Sequence, residues 1–308
     1  MIDKKTFFLA TGFVLLWNSG FVGAEYGLPY TGPFTLLFWR YLAVVLILLV
    51  YLFAKGRLQW VGWRAAAFQM GVGVLAHGAW LACVLLALDS GVPAGIVALV
   101  VALQPLATGA LSGFVTGERT HFYQWMGLIT GFAGVSLTVA FRIDLQSASS
   151  VFGYLIPLGA VIGITAATLA QRKREIKNGE STLPTDLKLF YQSLATTVVL
   201  AVPAVSQEGL STQWQPTFIY TLIWLALAVS LGAYALMWRL IERINATRVA
   251  SLFYLGPPVT MLMAWIAFGD QVQLMDLVGV MVVFAGVGLT QLQGRPEIRG
   301  SQSYGQED

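Results

Sequence analysis

Ten long apolar runs divide this chain, and they restrict it to a bundle of membrane-spanning helices. Each run holds about 20 mostly apolar residues, which is the length that a helix needs to cross about 30 Å of hydrocarbon. Charged residues make up 11% of the 308 residues, less than half the share found in soluble domains. Backbone groups in lipid must bond internally, and the runs are too long and too uniformly apolar for barrel strands, so we expect an all-α integral membrane fold.

The predicted helices cover Thr6–Glu25, Pro33–Ala54, Arg64–Leu88, Pro93–Thr116, Phe122–Phe141, Phe152–Gln171, Leu187–Val205, Pro216–Leu240, Thr247–Phe268 and Leu274–Leu292. All 18 Lys and Arg residues except Arg40 and Arg142 fall on the side of the N-terminus. Positive residues concentrate in the cytoplasm, so we expect both termini there and a multi-pass protein of a plasma membrane of the bacterial inner-membrane type. An alternative for the start is a cleaved signal peptide, because a basic pair, an apolar run and Val22-Gly23-Ala24 resemble one.

The sequence also repeats itself. FAGVSLT at 132–138 returns as FAGVGLT at 284–290, which is an offset of 152 residues. We therefore expect two five-helix halves, 1–141 and 152–293, joined by a connecting loop at 142–151 and followed by a disordered cytoplasmic tail at 294–308. Because five is odd, the second half starts on the other side of the membrane. The halves then form an inverted repeat, an architecture of many secondary transporters.

Three features recur in both halves at this offset: a mid-helix proline, a Gly-acid pair that closes the same helix, and a glycine-rich helix after it. They are Pro105 with Pro257-Pro258, Gly117-Glu118 with Gly269-Asp270, and GLITGFAGVSLT with GVMVVFAGVGLT. This organisation resembles the drug/metabolite transporter superfamily, and within it the ten-helix EamA-type members. The resemblance implies export or exchange of small metabolites by alternating access, and it extends to YddG-type exporters of aromatic and other neutral amino acids.

Polar and aromatic residues in the middle of apolar helices indicate where a substrate would bind. The predicted substrate-binding residues are Trp17, Asn18, His77, Trp80, Gln104 and Tyr254. Spacing puts His77 and Trp80 on one face of a regular helix. A buried amide or imidazole needs partners, so Asn18 and His77 could instead make hydrogen bonds that hold the bundle together.

Three prolines and one arginine have further predicted roles. Pro105, Pro257 and Pro258 each remove a backbone donor within a helix, which predicts a hinge or, alternatively, only a fixed kink. Arg40 lies inside the second predicted helix. We expect it to form a structural ion pair with Glu25; Asp89 or a substrate carboxylate are the alternatives.

The remaining patterns limit the energy source and the partners. No Asp or Glu lies in the middle third of a predicted helix, which argues against carboxylate-based ion coupling. No Walker A or metal-ligand spacing appears, so no cofactor, metal or catalytic group is expected, and the chain is predicted not to be an enzyme. The net charge of +3 does not suit nucleic acid. Glycine pairs at 109/113, 127/131 and 159/163 permit close helix contact within the monomer or across a homodimer.

The expected partners are the lipid bilayer and a small, amino-acid-like solute. The function predicted is export or exchange of such a solute, most of all a neutral or aromatic amino acid, through a central cavity between the halves. Transport of a nucleoside, sugar or drug-like cation, an intramembrane enzyme, and a channel are the alternatives.

Overall fold

A computed structural model describes residues 4–116, 122–142, 148–178, 183–241 and 252–291. Within these ranges the chain folds into ten helical segments and no strand. They are α1 (Lys4–Gly27), α2 (Pro33–Ala54), α3 (Trp63–Asp89), α4 (94–116), α5 (Phe122–Arg142), α6 (Ala148–Asn178), α7 (Thr185–Ser206), α8 (216–241), α9 (Phe253–Phe268) and α10 (Leu274–Gln291). The predicted tail at 294–308 lies outside the described residues.

The helices suit a membrane in length and surface. In the described part of the chain, seven stretches are long and apolar enough to cross a bilayer, and three shorter apolar helices lie at Trp125–Phe141, Phe253–Phe268 and Leu274–Leu289. Large apolar side chains such as Phe53, Ile162 and Ile266 stand exposed on the bundle. Water would disfavour so much apolar surface, whereas lipid accommodates it. The predicted all-α membrane fold is confirmed.

Among the described helices, α6 departs most from its predicted bounds, and the predicted start of α9 at Thr247 lies outside the described residues. The helix α6 begins before Phe152 and continues beyond Gln171 to Asn178. The added C-terminal stretch, RKREIKN, contains good helix formers and neither Gly nor Pro, so the helix extends past its apolar part.

The contacts between helices follow the repeat. The helix α5 packs along α10, and α2 packs along α7. The helix α1 contacts α8 and α9, just as α6 contacts α3 and α4. Small residues allow the closest of these approaches: a Cβ on Gly134, Gly279 or Gly286 would collide with the facing helix. Gly159 and Gly163 likewise pack against α3, so these glycines serve contacts within the monomer.

Both halves interrupt regular α-helix at related places. The π-helical segments are Val74–Ala79 in α3 and Trp224–Ala233 in α8. The helix α4 is broken at residues 102–103 ahead of Pro105, and α9 begins with a 3-10 turn ahead of Pro257. Proline favours the first turn of a helix, where its missing N–H has no partner to lose. These interruptions are often found at functional sites.

Candidate substrate cavity

A cavity of about 880 Å³ lies between the two halves. It extends from Trp17 and Asn18, in the middle of α1, to the exposed Arg172 near the end of α6. We call the end of the bundle that carries Lys4, Arg57 and Arg172 the basic face, and the other end the opposite face. Helices α1, α3, α4, α6, α8 and α9 form the wall. Small-molecule sites typically enclose about 300–1,000 Å³, so this cavity can hold a metabolite.

Four aromatic side chains close the inner end of the cavity: Trp17, Phe21, Trp80 and Tyr234. The ring of Trp17 stacks on Trp80 with centroids 6.2 Å apart and meets Tyr234 at 5.4 Å. The same four residues also border a much smaller cavity on their other side. We call these four residues the aromatic partition, because they separate the large cavity from the smaller one, which lies toward the opposite face.

The structure brings four of the predicted site residues together on this cavity: Trp17, Asn18, Trp80 and Gln104. Asn18 is 3% exposed. Its Nδ2 donates to Val14 O at 2.7 Å, and its Oδ1 accepts from Thr260 Oγ1 at 3.1 Å. Asn18 therefore joins α1 to α9 and also borders the cavity, and its binding to a solute stays a prediction. Gln104 Nε2 donates to Thr108 Oγ1 at 3.1 Å.

His77 does not line the cavity, which corrects its predicted position. The ring is buried between Tyr41 and Tyr234, and its Nε2 donates to Gln192 Oε1 at 3.2 Å. The spacing argument assumed a regular α-helix, whereas His77 lies in the π-helical segment Val74–Ala79, where successive residues are separated by a smaller angle. His77 contacts Tyr41 and Gln192, whereas Trp80 stacks on Trp17.

Tyr254 is also outside the lining, because it is buried in the 3-10 turn that starts α9. Its neighbour Phe253 lines the cavity instead. Of the predicted hinge residues, Pro105 and Pro257 border the cavity, whereas Pro258 does not. Bending at these prolines stays a prediction.

Arg40 does not form the predicted ion pair with Glu25. Its Nε donates to Ser230 Oγ at 2.9 Å, in the π-helical segment of α8. Glu25, near the end of α1, lies close to Asp270 instead. The ion pair found in the described part of the chain joins Arg57 to Asp186 at 2.9 Å, on the basic face.

Sequence analysis missed several residues of the cavity wall. They include Thr108, Thr168, Gln171, Arg172, Tyr234 and Met237. Tyr234 could have been selected as an aromatic residue within the eighth predicted helix. Thr168 and Gln171 could have been selected as polar residues near one end of the sixth. None of the described lining residues is an Asp or Glu. No cluster of metal-ligating side chains occurs within the described ranges.

At the opposite face, the loop between α7 and α8 is hydrogen-bonded to residues at the start of α2. Glu208 in this loop accepts the backbone N–H groups of Phe34 at 3.1 Å and Thr35 at 2.7 Å, at the start of α2. Thr31 Oγ1 donates to Ser211 O at 2.8 Å. A carboxylate at a helix N-terminus satisfies orphan donors and complements the helix dipole. The described wall of the cavity thus reaches the basic face at Arg172, while at the opposite face the loop between α7 and α8 is fastened to the start of α2.

Curated relatives cover nearly the whole chain. A probable amino-acid metabolite efflux pump of Salmonella typhimurium is 25% identical over 93% of this chain and 94% of its own. A protein of the same name from Escherichia coli is 23% identical over the same shares. An uncharacterized transporter of Archaeoglobus fulgidus is 24% identical over 94% of this chain and 98% of its own.

Two further comparisons concern the fold and the family. One protein of known crystal structure superposes with a TM-score of 0.64 at 18% identity, covering 94% of this chain and 97% of its own. That likeness concerns the fold alone. The model of the EamA-like transporter family matches residues 4–140 and again residues 151–292. Since these two matches take in most of the sequence, the chain belongs to the EamA-like transporter family and is a multi-pass membrane transporter.

Proposed function

We propose that this transporter exports or exchanges small amino-acid-like metabolites, with neutral and aromatic amino acids as favoured solutes. The observation that carries the proposal is the cavity of about 880 Å³ between the halves, whose wall combines aromatic rings with side-chain amides. Rings give an apolar side chain a surface to bury, and amides bind polar groups directionally. Two relatives named as probable amino-acid metabolite efflux pumps support the same solute class.

We assign the basic face to the cytoplasm of a bacterial-type inner membrane, with both termini on that side. We take the arrangement described above, in which the cavity wall reaches the exposed Arg172, as the inward-open state. The halves 1–141 and 152–293 rock against each other, with bending at Pro105 and at Pro257-Pro258, and expose the site to the other side. The inverted repeat supports this motion, since two related halves can exchange shapes around one site.

Recognition falls to the cavity residues already predicted. Trp17 and Trp80 cover the apolar part of the solute, and Asn18 and Gln104 bind its polar groups. With no Asp or Glu in the described wall, no carboxylate-based ion coupling is proposed.

A carrier explains the two closures better than a channel does. The cavity ends at the aromatic partition, and Glu208 fastens the loop at the opposite face to α2. Solute must wait for a conformational change at both places, so flux is expected to saturate with concentration. Exchange of labelled for unlabelled solute is a property of such carriers.

The test is counterflow in liposomes that contain the purified protein. Liposomes are loaded with an unlabelled amino acid, and uptake of labelled amino acids, nucleosides and sugars is followed. We expect neutral and aromatic amino acids to accumulate transiently, at least fivefold above protein-free liposomes. Gln104→Ala should slow uptake about tenfold, equivalent to about 1.4 kcal/mol for lost hydrogen bonds. Gln207→Ala, at an exposed position outside the cavity, should not. Folded protein that moves no amino acid would contradict the proposal.

A further inference from the structure

Arg40 is a buried cation that pairs with no carboxylate of the described residues. It is 5% exposed, and among the described residues its guanidinium makes one hydrogen bond, from Nε to Ser230. Its Cζ also lies 5.8 Å from the ring centroid of Tyr41. A buried charge is costly unless hydrogen bonds or an opposite charge compensate it. The structure therefore leaves most of the donors of this guanidinium to some other group.

A small cavity of about 30 Å³ borders Arg40. Its wall includes Arg40, Tyr41 and the four residues of the aromatic partition. It lies on the far side of the partition from the large cavity, toward the opposite face. The space holds a water molecule or two and no metabolite, so the site is closed in this state. Opening of the partition would join it to the large cavity.

A second donor on the same wall has no acceptor. The indole Nε1 of Trp80 is buried and makes no hydrogen bond in the described structure. No Asp or Glu belongs to the described lining of this small cavity. The wall thus offers N–H donors and a positive charge, together with aromatic rings. The complementary ligand is an anion with several lone pairs on an apolar body, and a carboxylate can accept two parallel bonds from a guanidinium.

We propose that Arg40 binds the carboxylate of the transported solute once the aromatic partition opens, and that it thereby selects carboxylates over neutral analogues. This inference rests on the proposed function and names the residue that recognises the acid group. Trp80 donates to the same carboxylate from the partition. The solute's apolar side chain stays against the rings of Trp17 and Tyr234.

The experiment compares L-phenylalanine with L-phenylalaninamide, which has a carboxamide in place of the carboxylate. Counterflow rates are measured for the unmodified protein, Arg40→Gln, Arg40→Lys and Arg64→Gln. Arg64 is an exposed arginine at the start of α3, outside both cavities. We expect the unmodified protein to prefer phenylalanine at least tenfold. Arg40→Gln should reduce that ratio at least tenfold, Arg40→Lys severalfold because lysine loses the paired geometry, and Arg64→Gln less than twofold.

The outcomes separate this inference from the proposed function. If the unmodified protein moves no amino acid, the proposed function fails. If it moves phenylalanine but accepts the amide equally, or if both Arg40 variants keep the original ratio, the role of Arg40 is wrong and the function stands. Melting curves in detergent identify a variant that does not fold. If Arg40→Gln does not fold, the preference for phenylalanine over phenylalaninamide is taken from Arg40→Lys, because lysine keeps the buried charge.

A small inorganic anion such as chloride would satisfy the same donors. The assay is therefore repeated with sulfate in place of chloride on both sides of the liposome membrane. Unchanged phenylalanine counterflow supports the solute's own carboxylate as the ligand. Loss of counterflow in sulfate, with recovery on adding chloride, would overturn the proposal in favour of a chloride site.

Discussion

Arg40 and Gln192 occupy the same position in the two halves of the repeat, 152 residues apart, and yet their contacts differ in kind. They lie on α2 and α7, which pack along each other. Each side chain crosses to the π-helical segment of the other half. Gln192 Oε1 accepts from His77 in α3, and Arg40 Nε donates to Ser230 in α8. The backbone arrangement is thus shared, while one contact is neutral and the other charged.

The difference is one of hydrogen-bond saturation. Gln192 uses both ends of its amide, since its Nε2 also donates to Gln69 Oε1 at 2.9 Å. Arg40 uses one donor and leaves the others beside a small cavity. A saturated buried network fixes the packing of the helices around it. A side chain with unused donors, such as Arg40, can still bind a ligand through them. The repeat therefore keeps a holding contact in one half and places a recognition contact at the related position of the other.

The largest expected effect is on the holding contact. Gly73 in α3 lies against the backbone of Gln192, and a Cβ there would collide with it. The related position in the second half is Leu225. Gly73→Leu introduces the leucine of the related position into the contact between α3 and α7. The backbone of Gln192 cannot move aside as a flexible side chain could. We expect a loss of about 3 kcal/mol or more, at the upper end of overpacked cores, seen as little folded protein by size-exclusion chromatography.

The matched control for this change is Gly71→Leu. Gly71 is exposed on the same helix with open space around its Cα. That variant should melt within about 0.5 kcal/mol of the unmodified protein, as surface substitutions do. Equal stability of the two variants would show that α3 and α7 are not in close contact at Gly73.

The next effect separates stability from transport at His77. His77→Ala removes the donor to Gln192 Oε1 from a part-buried contact, at a cost of about 1–3 kcal/mol. Because His77 lies behind the cavity wall, the counterflow rate per folded molecule should change less than twofold. Thermal melting and counterflow on the same preparation measure both. His77→Gln restores a donor and should recover part of the stability. A tenfold loss of transport at unchanged stability would instead place His77 in contact with the solute.

The sequence predicted most of the scaffold because hydrocarbon imposes length and composition directly. Helices appear where about 20 apolar residues run together. Trp17, Asn18, Trp80 and Gln104, which border the cavity, could be selected because aromatic and amide groups stand out in an apolar helix, and their contact with a solute stays a prediction. Their shared cavity follows from their depth along the helices.

The errors have a different physical origin. The positions of His77 and Tyr254 depend on local departures from α-helical phase, a π-helical segment and a 3-10 turn, which no residue spacing reveals. The partner of Arg40 depends on a contact 190 positions away. Charge alone suggested a carboxylate such as Glu25, whereas packing supplied a hydroxyl. Pairings across the bundle are set by tertiary geometry, and one sequence contains little of that information.

A smaller effect concerns Glu208, which fastens the loop between α7 and α8 to α2 at the opposite face. Glu208 holds the first turn of α2 through two backbone N–H groups. Glu208→Gln keeps one acceptor and removes the charge, which should weaken the closed opposite face by about 1 kcal/mol. Opening should then be about fivefold more frequent. Opening can be measured at Val84, which borders the small cavity. A cysteine at that position, in a Cys83→Ser background, should react faster with a polar thiol reagent.

The control for this labelling is Gln207→Ala, an exposed change in the same loop. It should leave the labelling rate unchanged. If Glu208→Gln lowers the melting temperature while the cysteine reacts at its original rate, Glu208 caps α2 without holding the face shut.

The smallest effect tests whether Trp80 belongs to the recognition contact. Trp80→Phe removes the buried Nε1–H, which has no partner in the described structure, and keeps an aromatic ring at the partition. Stability should change by less than about 1 kcal/mol, because the lost indole contacts are offset by removal of an unsatisfied donor. Phenylalanine should bind about threefold more weakly, visible as a raised half-saturation concentration, while phenylalaninamide is unaffected.

The double variant with Arg40→Gln makes this measurement decisive. If both donors bind one carboxylate, removing the second after the first costs less than removing it alone, so the effects on phenylalanine are less than additive. Trp60→Phe, at an exposed tryptophan outside both cavities, should be neutral in either background. Strict additivity would mean that Trp80 and Arg40 act on different parts of the solute. Arg40 would then bind the carboxylate without help from Trp80. The aromatic partition and the carboxylate site would be separate parts of the bundle.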